Sequence, residues 1–179
     1  MKPGIVIIGM AALGLGLFVT GGVEANWWGG PDVNQRIFGH SINIGDDVAT
    51  GNSTILQSGI AKGKPGTAQV TASLVRKTEF VFNPDGNCPE GFPLESQLVS
   101  FSWGETYSDG SLLAGNAVAV PGQVVCLDLE QTALVGELTG SITGGAGRFK
   151  GASGSWNIVD AVVPNGTSIT TAKLFVDLD

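Results

Sequence analysis

Few side chains in this sequence could carry out chemistry, and they form no recognised catalytic arrangement. His40 is the only histidine, so a Ser/His/Asp system would have to use it. The sequence contains no Gly-x-Ser-x-Gly segment, which would expose the serine of such a system. Because His40 stands between Phe38 and Ile42 in a strand-like segment, we expect a packed or pocket-lining residue at a barrel rim.

Two groups of carboxylates could in principle transfer protons. Asp46 and Asp47 are adjacent, and Asp128 is followed two positions later by Glu130. Both groups stand where turns or strand ends are predicted, which favours a role in shaping the backbone. We therefore predict no catalytic residue and no cofactor.

One segment has the spacing that opens a calcium loop. Asn83, Asp85 and Asn87 occupy alternate positions, but the sixth position is Cys88 instead of glycine and the twelfth is Leu94 instead of glutamate. The segment lacks the required turn residue and the bidentate ligand. We predict no metal site here.

The two cysteines, Cys88 and Cys126, are predicted to form a disulfide. An isolated cysteine pair in an exported chain is most simply explained by one bond. Two free thiols, or a metal pair with further ligands, are the alternatives, and a single histidine supplies few such ligands.

The elements that must position these residues are strands. Glycine is abundant (28 of 179 residues) and charged residues make up only 14%, which is typical of a turn-rich β protein. Alternating and turn-bounded segments predict an all-β fold with a single antiparallel barrel of about eight strands. The predicted strand segments are Arg36–Ile44, Ser53–Lys62, Thr67–Val75, Glu79–Phe82, Leu94–Trp103, Thr106–Ser108, Leu112–Val120, Gln123–Leu129, Leu134–Thr143, Ala152–Ile158 and Thr167–Leu178.

The most informative stretch runs from Leu134 to Asp160. Small and apolar residues occupy every second position from Leu134 to Ile142, as in a half-buried strand. Gly144 to Gly147 should end that strand and reverse the chain, because glycine tolerates positive φ. A second alternating run that contains Trp156 and Ile158 should then return as the partner strand.

This hairpin resembles one found in a known group of barrels. The residues Ile142 to Gly154, ITGGAGRFKGASG, resemble the ITGGxGRFxGAxG turn of the allene oxide cyclase and dirigent-like β-barrel group, which includes small secreted bacterial proteins. The resemblance implies that the glycines shape the turn and that the aromatic residue plugs one barrel end. The motif positions that match in this sequence are Gly144, Gly145, Gly147, Arg148, Phe149, Gly151 and Gly154.

The resemblance leaves one chemical route open. Plant members of the group direct cyclisation or radical coupling of apolar molecules inside the barrel. The likeness is confined to the hairpin and does not reach their pocket residues, so no catalytic position is transferred. Arg148 and Lys150 belong to the turn, where we expect solvated charges instead of anion contacts.

The first 25 residues are predicted to be a secretory signal peptide. Lys2 gives a positive start, the segment from Ile5 to Val19 is apolar and uncharged, and Val23 and Ala25 suit a cleavage site. The barrel domain is then residues 26–179, with no stable membrane insertion after signal removal and an extracellular or periplasmic location. Its first residues include Trp27 and Trp28, which we expect at an open barrel end or in a recognition surface.

The net charge and the composition limit the classes of partner that this protein is expected to bind. The net charge of −7 disfavours nucleic acid, which needs a basic surface. We expect a secreted binding or surface-interaction module for a small apolar ligand. A barrel isomerase or cyclase and a structural or adhesive component that oligomerises are the alternatives.

Overall fold

The computed structural model describes residues 32–64, 66–118, 122–163 and 165–178. The predicted signal peptide, together with Trp27 and Trp28, lies outside the described residues. Within the described ranges, no helix has the length and apolar character needed to cross a membrane.

Ten strands and a single 3-10 turn account for most of the described chain. The strands are β1 (Asp32–Asp47), β2 (Asn52–Gly63), β3 (Ala68–Lys77), β4 (Val81–Phe82), β5 (Leu94–Tyr107), β6 (Leu112–Val118), β7 (Val124–Leu127), β8 (Leu134–Ala146), β9 (Ser153–Val162) and β10 (Thr167–Asp177). The 3-10 turn is Gly147–Phe149. The all-β prediction is confirmed.

The strands form a closed antiparallel barrel with eight strand positions. The pairing runs β1, β2, β3, β5, then β6 and β7 together, then β8, β9 and β10. β6 and β7 share one position, because both lie between β5 and β8. β10 pairs with β1 and closes the ring.

The two ends of the barrel are distinguished by their connections. β1 begins where β10 ends, with Asp32 opposite Phe175, and the 3-10 turn lies at the same end. We call this the hairpin end. At the other end, Asp47 pairs with Asn52, and Cys126 pairs with Glu95 near the start of β5. We call this the disulfide end.

The family-like hairpin differs from its prediction at the turn. β8 does not stop at Thr143 but continues through Gly144 and Gly145 to Ala146, because these residues pair with the start of β6. The reversal is made one step later by the 3-10 turn, where Gly147 has φ +65°. The predicted alternation is confirmed on both sides, since Leu138, Ile142, Trp156 and Ile158 are buried.

The barrel interior is filled by aromatic rings that lie against glycines. Trp156 is 1% exposed, and its ring contacts Phe101 and Trp103 at centroid distances of 5.4 and 6.3 Å. A Cβ on Gly140 would stand 2.4 Å from Cζ2 of Trp156 and 2.2 Å from the backbone oxygen of Asn116. Only a glycine at position 140 therefore leaves room for this tryptophan.

The replacement Gly140→Ala tests this packing. We expect it to lower the free energy of unfolding by roughly 1–3 kcal/mol, because the added methyl meets an indole and a rigid backbone. The matched control is Gly136→Ala on the same strand, where a Cβ would meet nothing closer than 3.8 Å. Denaturant unfolding of both variants checks the prediction, and equal stability of the two would contradict it.

The predicted disulfide is confirmed. Cys88 and Cys126 are bonded, with Cα atoms 5.7 Å apart. The bond ties the loop between β4 and β5 to β7, and Glu95 holds the same loop by accepting hydrogen bonds from Asn83 Nδ2 and Asn87 N. Asn83 and Asn87, which have the spacing of a calcium loop, thus bind the carboxylate of Glu95. The described residues contain no metal-binding cluster.

Removing this disulfide should lower the free energy of unfolding of the barrel without changing its fold. The cysteines are separated by 38 residues, and closing such a loop contributes about 4 kcal/mol in the chain-entropy model. We expect the variant Cys88→Ala/Cys126→Ala to lose stability of this order while its far-ultraviolet circular dichroism is unchanged. Two titratable thiols in the unfolded, unreduced wild-type protein would show instead that the bond is absent.

Candidate functional site

His40 lies on the outside of the barrel, so its expected packed or pocket-lining role is wrong. Its ring is exposed, and Nδ1 is 2.8 Å from the carbonyl oxygen of Gly166. The register explains the position: Ile37 pairs with the fully buried Ala61, which places the odd-numbered residues of this part of β1 inside. Phe38, His40 and Ile42 therefore point outward.

Arg148 and Phe149 of the family-like hairpin pack at the hairpin end. Phe149 is buried, with its ring centroid 5.0 Å from that of Tyr107. The Arg148 guanidinium lies over both rings, and Nη1 is 3.2 Å from Oδ2 of Asp109. We expected a solvated charge at Arg148, but its guanidinium forms an ion pair and stacks on aromatic rings. These contacts hold the β5–β6 connection against the β8–β9 connection.

The acidic residues found in the sequence have turn roles. Asp47 accepts hydrogen bonds from Ala49 N at 3.0 Å and from Thr50 Oγ1 at 2.8 Å. The hydrogen bond from Thr50 is the main reason that the pKa of Asp47 is lowered. Asp128 holds its turn by accepting from both the backbone and the hydroxyl of Thr132.

Two other carboxyl groups lie inside the barrel, and sequence reasoning missed both. Glu105 is 2% exposed and accepts hydrogen bonds from Gln35 Nε2 at 3.1 Å and from the Tyr107 hydroxyl. Burial raises the pKa of Glu105 against the opposing effect of these two donors. Loss of solvent likewise raises the pKa of Tyr107.

Asp160 forms the second interior group. It accepts hydrogen bonds from Thr170 Oγ1 at 2.5 Å and from Gln57 Nε2. Burial raises its pKa as well. Burial thus shifts both carboxyls toward the protonated form, although the neutral groups that donate hydrogen bonds to them act in the opposite direction.

The interior between these groups is nearly full. Among the described residues, a cavity of about 20 Å³ lies between Glu105, Gln57 and Thr170 on its polar side and Phe101 and Trp103 on its apolar side. This space is enough for roughly one water molecule. Pockets for drug-sized ligands are roughly 300 Å³ or larger, so a ligand could enter only if interior side chains moved.

A different surface is open to solvent and unusually apolar. Phe38 and Ile42 on β1 are 50% and 61% exposed, and they pair with the outward Ile60 and Leu56 of β2. Ile44, at a bulge in β1, is also exposed. We call these five residues the apolar wall: Phe38, Ile42, Ile44, Leu56 and Ile60.

The apolar wall contrasts with the outward side of β8. There, Thr139, Ser141 and Thr143 are exposed at alternate positions. A strand that faces water normally carries such polar residues outward. The concentration of aliphatic and aromatic side chains on β1 and β2 is therefore typical of a contact surface.

Comparison with known proteins does not assign this chain to a family. No protein-family model matches the sequence, and no curated protein matches it. The resemblance to the allene oxide cyclase and dirigent-like group therefore depends on the hairpin residues alone.

The interior carboxyls predict how stability depends on pH. Their raised pKa values mean that the folded protein retains protons which the unfolded chain releases above about pH 4. The free energy of unfolding should therefore fall as the pH rises from there toward the raised values, by up to about 1.4 kcal/mol per pH unit for each carboxyl. Asp47 and Asp109, whose pKa values are lowered, titrate below this window.

The variants Glu105→Gln and Asp160→Asn should each flatten this fall, because an amide carries no titrating proton. Urea unfolding of each variant at pH values from about 5 to about 8, all above the ordinary carboxyl pKa, measures how the free energy of unfolding depends on pH. A slope identical to that of the wild-type protein would show that these groups do not titrate differently in the folded state.

Proposed function

We propose that this chain is a secreted barrel that acts as a binding module through its apolar wall, without a reaction of its own. The observation that carries the proposal is the contrast between a filled interior and an exposed apolar surface. Apolar partners bind where burial removes the most apolar area from water. In this barrel that place is the outer surface of β1 and β2.

The export part of the proposal is supported by the N-terminal sequence and the disulfide. The chain starts with the features of a signal peptide. The bond between Cys88 and Cys126 suits an oxidising compartment. Both features agree with an extracellular or periplasmic protein of the barrel type that the hairpin resembles.

A second candidate function places an apolar ligand or substrate inside the barrel. It is favoured by Glu105, a buried acid that lines the cavity and that could donate or accept a proton. An isomerase or cyclase would need such a group beside its substrate. This candidate requires Phe101 or Trp103 to move, because the cavity holds about 20 Å³.

Binding of the neutral apolar dye Nile red distinguishes the two sites. We expect the mature protein to bind the dye, and Ile42→Thr/Ile44→Thr to weaken binding about fivefold or more, because the two most exposed wall residues lose apolar area. Threonine keeps strand propensity, so the fold should persist. Fluorescence titration at low protein concentration measures the affinity.

Two controls complete the experiment. Leu112→Ser/Leu129→Ser removes exposed apolar side chains outside the wall and should leave dye binding unchanged. Glu105→Gln should also have no effect. Dye binding that survives loss of the wall residues and responds to Glu105→Gln would favour the interior site and refute the proposal.

A further inference from the structure

Arg76, near the end of β3, is a buried cation without a counter-ion in contact. It is 8% exposed, and the ion pairs among the described residues do not include it. Nη1 donates hydrogen bonds to the carbonyl oxygens of Lys77 at 2.6 Å and of Thr78 at 3.2 Å, whereas Nε has no partner. An arginine keeps its charge in a protein, and a buried charge is costly unless it is paired. The unpaired edge of this guanidinium is therefore suited to an oxyanion.

The guanidinium of Arg76 is held in place by contacts that leave this edge unused. The ring of Phe80 packs on its face, with the ring centroid 4.3 Å from Cζ. The two carbonyl oxygens fix it at Nη1. Guanidinium groups bind carboxylates through two parallel hydrogen bonds along one edge, and a group that is already ordered loses little freedom on binding. Arg76 is thus preorganised for such a contact.

Two hydroxyl groups beside Arg76 also lack partners. Ser53 pairs directly with Arg76 across β2 and β3, is fully buried, and makes no hydrogen bond through Oγ. The Oγ1 atom of Thr78, two positions after Arg76, is likewise buried and unpaired. Buried polar groups are normally hydrogen-bonded. Together with Nε of Arg76, these hydroxyls indicate a place for a group with several acceptor oxygens.

A carboxylate faces the same side of the sheet from β1. Asp46 pairs with Ser53 on the side opposite to Arg76, so the three residues form a row across neighbouring strands. We call Asp46, Ser53 and Arg76 the charged row. Burial lowers the pKa of Arg76, and the charge of Asp46 acts against this lowering. Asp46 is nevertheless exposed and forms no ion pair with Arg76, so two opposite charges lie near each other without contact.

The charged row lies near the rim of the barrel at the disulfide end. β10 begins at Thr167, opposite His40, whereas β1 continues to Asp47. The end of β1 thus extends beyond its neighbour, and Asp46 is open to solvent. A small molecule that approaches from this side meets the carboxylate of Asp46 first and the guanidinium of Arg76 further inside.

We propose that the charged row binds the zwitterionic head of a free amino acid, with its carboxylate on Arg76 and Ser53 and its ammonium group on Asp46. An ion with a single charge would be attracted by one end of the row and repelled by the other. A zwitterion satisfies both ends, and its net charge of zero avoids repulsion by a protein of net charge −7. The row lies on the inner side of the sheet, so this site is separate from the apolar wall and goes beyond the proposed function.

Titration of the isotopically labelled mature protein with glycine tests the proposal. Glycine carries both charged groups on the same carbon and needs the least space of any amino acid. We expect glycine to shift the Nε–H nuclear magnetic resonance signal of Arg76, and acetate or methylammonium, which keep one charge each, to bind about tenfold more weakly. The variant Arg76→Lys identifies the signal by removing it and should abolish binding.

The variant Asp46→Asn gives the sharpest comparison, because Asp46 is exposed and its replacement should leave the fold intact. We expect glycine to bind about tenfold more weakly and acetate to bind more tightly, since the variant loses the ammonium contact and no longer repels a carboxylate. Ser53→Ala should weaken the binding of both ligands. Ile42→Thr/Ile44→Thr, on the apolar wall, is the control and should change neither, and circular dichroism establishes that every variant folds.

An Arg76 signal that does not move at the highest glycine concentration reached would overturn the proposal. So would glycine binding that Asp46→Asn leaves unchanged. A shifted Arg76 signal in ligand-free Asp46→Asn, together with a loss of stability, would show that Asp46 itself pairs with Arg76 in solution, and this result would also refute the ligand site. The dye experiment tests the apolar wall and is independent of all three outcomes.

Discussion

The packing of Trp156 against the backbone of Gly115 and Gly140 determines how this barrel is filled. A Cβ at Gly115 would stand 2.7 Å from the Nε1 atoms of both Trp103 and Trp156, so the indoles occupy space that any larger residue would take. Trp156 also donates a hydrogen bond from Nε1 to the carbonyl oxygen of Ser141 at 3.0 Å. An eight-stranded barrel has an interior just wide enough to be filled by side chains, and here two indoles and Phe101 are packed together within a larger apolar core.

The filled interior has consequences for both chemistry and recognition. Burial shifts Glu105 and Asp160 toward the protonated form, so their ionisation should lower the free energy of unfolding as the pH rises. The cavity beside Glu105 holds only about 20 Å³, which leaves little space for a substrate. The outer surface then offers the larger area for contact. On β1 and β2 this surface is apolar, while on β8 it carries hydroxyl groups, so the proposed contact surface and the polar surface lie on different strands.

The sequence predicted much of the fold, because period-2 patterns and strong turn residues are local signals. The strands around Trp156 and the last strand of the chain follow directly from them, and two cysteines in a chain that is predicted to be exported predict one disulfide. The orientation of β1 could not be predicted, because both of its sides carry apolar residues and only the register with β2 decides. The buried acids did have a signal: Glu105 continues the inward series of Phe101 and Trp103, and Asp160 continues that of Trp156 and Ile158.

The central claim is that this barrel makes contacts through its apolar wall while its interior stays closed. Nuclear magnetic resonance of the isotopically labelled mature protein during a titration with Nile red tests it directly. Backbone amide shifts that change at Phe38, Ile42 and Ile60, with constant indole Nε1–H signals of Trp103 and Trp156, are the predicted result. Dye-dependent changes at the two indoles with a constant wall, or no change at any residue, would contradict the account.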